Sequence, residues 1–111
     1  MSRQVLSGQL VVPPRTDEHN PVYLDLWPLV RRLVAISFEF PPGCMGAVKV
    51  RALESGRPIA PQNGWYYGDS GIKTVTLSRL LEGPPYRITI QGYSTALDYP
   101  HTIAIYAELS Q

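Results

Sequence analysis

The sequence predicts an all-β protein: a two-layer antiparallel β-sandwich, jelly-roll-like, with about eight strands and an extended N-terminal segment. Three observations carry this expectation. Apolar residues recur with a period of two in several short runs, which marks strands that bury one face. Eleven prolines and nine glycines are spread along the 111 residues and punctuate those runs, giving a turn signal about every ten residues. No run supplies helices to cover a sheet, so two apolar sheet faces must cover each other. Periodicity alone leaves two strand orders open, a jelly roll, which we prefer, and an immunoglobulin-like Greek key.

Residues 3–12 form the first expected strand, although Val5, Leu6, Leu10, Val11 and Val12 are too unevenly placed to assign a face. Pro13-Pro14 ends it, and residues 15–20 are a polar loop. From Pro21 to Trp27, Val22, Leu24 and Leu26 alternate with Tyr23, Asp25 and Trp27. Bounded by Pro21 and Pro28, this stretch reads as an edge strand or as an extended segment laid over another surface. The domain is therefore divided into residues 1–31, a strand and an arm, and residues 32–111, the sandwich core.

Residues 32–40 place Val34, Ile36, Phe38 and Phe40 on one face, and Pro41-Pro42-Gly43-Cys44-Met45-Gly46 turns the chain. Residues 47–53 alternate Val48, Val50 and Ala52 with Lys49, Arg51 and Leu53. Glu54-Ser55-Gly56-Arg57 turns again, and the prolines of Pro58-Ile59-Ala60-Pro61 keep that extended segment out of a central sheet position. Residues 72–78 are a further strand, and Arg79 to Gly83 is read as a single helical turn. Two strands close the chain, residues 86–94 and 101–109, read as a hairpin joined by Thr95 to Pro100. Tyr86, Ile88, Ile90 and Gly92 share one face of the first, and His101, Ile103, Ile105, Ala107 and Leu109 one face of the second.

A chain of this length is one domain and buries roughly two thirds of its unfolded surface. Ten basic and nine acidic residues give a formal net charge of +1, too weak a field to gather nucleic acid or an anionic membrane. Neither is expected as a partner, and residues 1–8 lack the apolar core of a secretory signal. Charged residues make up 17% against roughly 25% in average composition, which suits a surface partly covered by other subunits. The single cysteine, Cys44, excludes an internal disulfide.

Candidate chemistry is thin. Cys44, His19, His101 and the aspartates are the residue types of a thiol hydrolase, but Cys44 sits in a turn between strands rather than at a helix N-terminus. A structural thiol is the expectation. Asp17-Glu18-His19 lacks the spaced oxygen ligands of a cation site, and Asp69 in Gly-Asp-Ser-Gly is an ordinary turn former. His101 is expected at the rim of the core, bonded to a backbone carbonyl. No catalytic residue, metal ligand or cofactor is assigned. The aromatic residues say more: alternation sends at least one of Trp65, Tyr66 and Tyr67 outward, and Tyr93 and Tyr106 lie on the non-core parity of the closing strands. With Val22, Leu24, Leu26 and Trp27 these are the candidate interface residues.

The succession Phe38-Glu39-Phe40-Pro41-Pro42-Gly43-Cys44-Met45-Gly46, Val48-Lys49-Val50-Arg51, Pro58-Ile59-Ala60-Pro61 with Trp65 and Gly68-Asp69, Leu81-Glu82-Gly83-Pro84-Pro85-Tyr86 and Tyr99-Pro100-His101-Thr102-Ile103 resembles the small jelly-roll structural proteins of tailed-bacteriophage virions. The resemblance implies an enzymatically inert capsid decoration or cement protein, or a small tail component. It also implies a homo-oligomer, commonly a trimer, bound to the major capsid protein or another virion protein after assembly in the host cytoplasm. The alternative expectation is a carbohydrate- or host-receptor-binding module in which Trp65, Tyr66 and Tyr67 stack on a glycan.

Overall fold

A computed structural model describes residues 3–110. It contains eight strands: β1 (Arg3–Val12), β2 (Val22–Leu26), β3 (Arg32–Phe40), β4 (Val48–Glu54), β5 (Arg57–Ala60), β6 (Gly71–Leu80), β7 (Ile88–Ser94) and β8 (His101–Ser110). They form two four-stranded antiparallel sheets in the orders β1-β8-β3-β6 and β2-β7-β4-β5. These orders follow from folding one long antiparallel ribbon. First β1 pairs β8, β2 pairs β7, β3 pairs β6 and β4 pairs β5; wrapping the ribbon then adds the β3–β8 and β4–β7 ladders. That is the jelly roll, and the immunoglobulin-like order is excluded.

The closing hairpin is not formed. β7 and β8 lie in opposite sheets, so Thr95 to Pro100 is a crossing between layers and the two apolar faces meet across the core. The face assignments themselves hold: Ile88, Ile90, Ile103, Ile105, Ala107 and Leu109 are fully buried. Each large aliphatic side chain so buried contributes about 1.5–3 kcal/mol of transfer free energy.

On β3 the expected face holds at three of its four residues. Ile36, Phe38 and Phe40 point inward with Leu33, whereas Val34 does not. The ladders on both sides of β3 shift register between Leu33 and Ala35. This bulge inserts one residue and returns the strand to its inward parity at Ile36.

Within the segment 1–31 the expected first strand and edge strand both form and pair with the rest of the sandwich. Arg3 to Val12 pairs residue by residue with His101 to Ser110, and β2 pairs with β7 at the edge of the second sheet. Leu26 is buried, and Val22 and Leu24 pack against the same core. These three residues, expected at an interface, are used inside their own chain because β2 must cover the inward faces of β1. The sheets interlock there through glycine. A Cβ on Gly8 of β1 would lie 2.8 Å from Leu24 Cδ2, and one on Gly92 of β7 would lie 2.9 Å from Leu10 Cδ2.

Among the described residues there is no helix. The stretch expected to make a helical turn continues β6 to Leu80, after which Leu81 is buried. Glu54 closes this end of the molecule. Its Oε1 accepts from Arg79 Nε at 2.6 Å and its Oε2 from the Glu82 backbone N–H at 2.6 Å, tying the end of β4 to the opposite sheet. Ser55 and Gly56, both at positive φ, form the tight two-residue turn between β4 and β5.

Candidate functional site

The outer face of the β2-β7-β4-β5 sheet is built by register. Antiparallel pairing sets Tyr23 of β2 beside Gln91 of β7, and Gln91 beside Arg51 of β4. Beyond β5 the chain returns to β4, where Tyr66 and Val50 exchange backbone hydrogen bonds of 2.8 and 2.9 Å. This single bridge fixes the alternation of the aromatic triplet. Tyr66 turns inward, its ring 5.6 Å from that of Phe38, and burial raises its hydroxyl pKa. Trp65 and Tyr67 turn outward, into line with Arg51 and Lys49.

The resulting surface alternates aromatic rings and cations. The Arg51 guanidinium lies 4.2 Å from the Trp65 ring centre and Lys49 Nζ lies 4.3 Å from that of Tyr67. Tyr93 meets Trp65 edge-on at 4.8 Å, and its hydroxyl pKa is raised, first by burial and then by the charge of Glu18. Arg51 Nε donates to Gln91 Oε1 at 3.0 Å, and Lys49 Nζ donates to the Gly46 carbonyl. Further along the same face Arg87 approaches the Trp27 ring at 5.8 Å, and Thr89 donates to Asp25 Oδ1 at 2.7 Å. Tyr23 and Tyr67 are 68% and 63% exposed, so this is a surface for contact.

Of the sequence-derived candidates, Trp27, Trp65, Tyr67 and Tyr93 share this face. Tyr66 and the Val22-Leu24-Leu26 stripe are turned to the core, and Tyr106 lies on the outer face of the other sheet, its hydroxyl 3.4 Å from Glu39 Oε1. Tyr23, Lys49, Arg51, Arg87 and Gln91 were not singled out, although the non-core parity of their strands was legible. Cross-strand register joins them, and single-strand periodicity does not contain it.

The other candidates stay apart. Cys44 is buried, and burial, with a smaller contribution from Asp69, raises its thiol pKa, the reverse of activation. Asp69 Oδ1 accepts from the Gly43 backbone N–H at 2.9 Å, so it pins the neighbouring turn rather than its own. Asp17 Oδ1 accepts from the His19 N–H at 3.1 Å, a local turn. His101 sits at the rim of the core, but its Nδ1 is enclosed without a hydrogen-bond partner among the described residues, where a carbonyl was expected. Among the described residues no three His, Cys, Asp or Glu side chains cluster in a way that would hold a metal ion.

Fold and surface together define a jelly roll that presents a ring-bearing sheet face. No protein-family model matches the chain, and no curated protein matches it. Among solved structures, it is similar to a chain of the cyanophage Pam1 capsid asymmetric unit, with a TM-score of 0.66 and 12% identity over 96% of this chain and 82% of that one. At that identity the likeness is one of fold. FlhE is more distant, with a TM-score of 0.45 and 8% identity over 99% of this chain and 97% of that one. So is a Bacillus endospore appendage protein, at 0.43 and 12% over 99% and 91%.

Proposed function

We propose that the chain is a non-enzymatic structural protein of a bacteriophage virion that decorates or cements the capsid as a homo-oligomer, with a trimer as the expected state. The observation that carries this reading is the likeness to a capsid chain across 96% of the residues. Exposed apolar residues at the loop end, Met45, Leu97 and Tyr99, and the aromatic face on the sheet support a subunit designed for contact. The mechanism is added buried area: each junction of ordinary size closes about 1,600 Å² in total and so opposes separation of the subunits it bridges.

The test is composition. Particles purified from a lysate of the phage that encodes the chain should contain it in fixed ratio to the major capsid protein. The isolated chain should give the trimer mass in native mass spectrometry. Particles that lack it overturn the virion reading, and a monomer overturns the oligomeric part alone.

A second reading, a glycan- or receptor-binding module, draws on the outward Trp65 and Tyr67. It loses Tyr66, which faces the core. Glycan-array binding that disappears in Trp65→Ala would favour it.

A further inference from the structure

Aromatic residues are divided unequally between the two outer faces. Both tryptophans, Trp27 and Trp65, lie on the outer face of the β2-β7-β4-β5 sheet with Tyr23, Tyr67 and Tyr93, while the outer face of the other sheet carries Tyr106. The charges on the aromatic face are unbalanced too. Lys49, Arg51 and Arg87 each lie against a ring, and none forms an ion pair with an acid among the described residues, where the pairs are Arg3–Glu108 and Arg79–Glu54. On the sheet itself Asp25 accepts from Thr89 and Glu54 is buried and paired with Arg79; Glu18 stands at the loop edge near Tyr93, and Glu82 lines a cleft with Trp27 and Arg87 at the other end, so the cations without a neighbouring acid are Lys49 and Arg51.

We propose that this face docks an acidic protein surface, a neighbouring virion subunit that presents Asp and Glu side chains to Lys49, Arg51 and Arg87. The inference rests on the virion reading above and names the face and the partner chemistry. Three arguments select the occupant. Rings and arginine at the centre of a surface patch are the composition of a protein-interface core, and cations already held in place by rings lose little freedom on meeting a carboxylate. A sugar site is usually concave, whereas the clefts of about 540 and 560 Å³ lie elsewhere, around Phe40 and Thr102 and around Tyr99 and His101, and the smaller ones of about 250 and 160 Å³ touch this face only at its margins, at Trp27 with Arg87 and at Tyr67, without Trp65 or Arg51. A second copy docked through the same face would set its cations against themselves.

The experiment uses the full chain and particles from a phage deleted for its gene. Wild-type protein should be retained by the particles at low salt and less so at high salt. Lys49→Glu and Arg51→Glu should each lower retention by about tenfold with an unchanged melting temperature, while Thr102→Glu, exposed on the inner strand β8 of the other sheet, binds as wild type. If both charge reversals bind like wild type, the face is wrong although the virion reading stands. If wild type is not retained, the virion reading fails, and the face is judged by nuclear magnetic resonance titration with poly-L-glutamate and with a neutral oligosaccharide. Shifts at Trp65 and Arg51 with the polypeptide alone keep the acidic-partner assignment; shifts with the oligosaccharide alone, or with neither, overturn it.

Discussion

Gly92 and Gly8 are both glycines in strands, and both face a leucine of the opposite sheet, yet they should respond differently to a methyl group. A Cβ at residue 8 would meet the end of the partly buried Leu24, which can rotate. At residue 92 it would meet Leu10 at 2.9 Å, the stiff Val12 at 3.1 Å and the Lys49 carbonyl at 3.4 Å. Gly92→Ala should therefore cost about 1–3 kcal/mol by overpacking, measured by urea unfolding, and Gly8→Ala clearly less. Glu54→Ala should cost about 2 kcal/mol in the same assay: it strips both Arg79 and the Glu82 N–H of an acceptor, and Arg79 still reaches water. A third expectation concerns pH. Burial raises the Cys44 thiol above its ordinary 9.0 and the Tyr66 and Tyr93 hydroxyls above 10.0. Their contribution is fully present below those ordinary values, where folded and unfolded chains hold the same protons. Above them the unfolded chain ionises first, so stability falls as pH rises through 9 and then 10. Denaturant melts across this range should show the decline, and Cys44→Ala should remove its earlier part.

Strands were legible wherever one face is fully covered. β7 and β8 each keep an unbroken inward parity, and β4 keeps it from Val48 to Ala52 before a register shift leaves Leu53 buried as well, although alternation sets it outward; period two located all three. β1 hid its inward face because the position that should carry an apolar side chain is Gly8, while Val5 and Val11 point to solvent. β6 is an edge strand with only Val75, Leu77 and Arg79 partly covered, so its pattern was weak and its end was mistaken for a helical turn. On β3 the bulge is a relation between neighbouring ladders, and no single strand records it. It leaves Val34 partly covered between the buried Leu33 and the partly covered Ala35, so Val34→Ala should cost less than about 1 kcal/mol and Ile36→Ala about 2–5 kcal/mol. Removing residues 1–31 should give no cooperative unfolding transition by circular dichroism, because it strips β8 and β7 of their partners β1 and β2; a folded remainder would restore the idea of a separable arm.

At the scale of the whole molecule the layering was legible and the wiring was not. Alternation states which residues face inward, and two such faces imply a sandwich; it does not state which strand lies beside which. The short connection from Thr95 to Pro100 invited a hairpin, yet it crosses between sheets. The candidate face was half legible for the same reason, since the outward turn of Trp65 and Tyr67 follows from alternation and their meeting with Lys49 and Arg51 follows from register. The edges differ between the layers. In one sheet β2 and β5 are five and four residues long and flanked or interrupted by proline, whereas in the other β1 and β6 each run for ten. Short, proline-marked edges resist stray pairing, so self-association should proceed through the sheet that lacks them, and Thr76→Pro should lower the oligomer mass in native mass spectrometry. Finally, Arg3 and Ser110 stand side by side in the β1–β8 ladder. A peptide fused upstream of the one or downstream of the other would leave from the same pole of the barrel-shaped body, opposite the loops that carry Tyr99 and Met45.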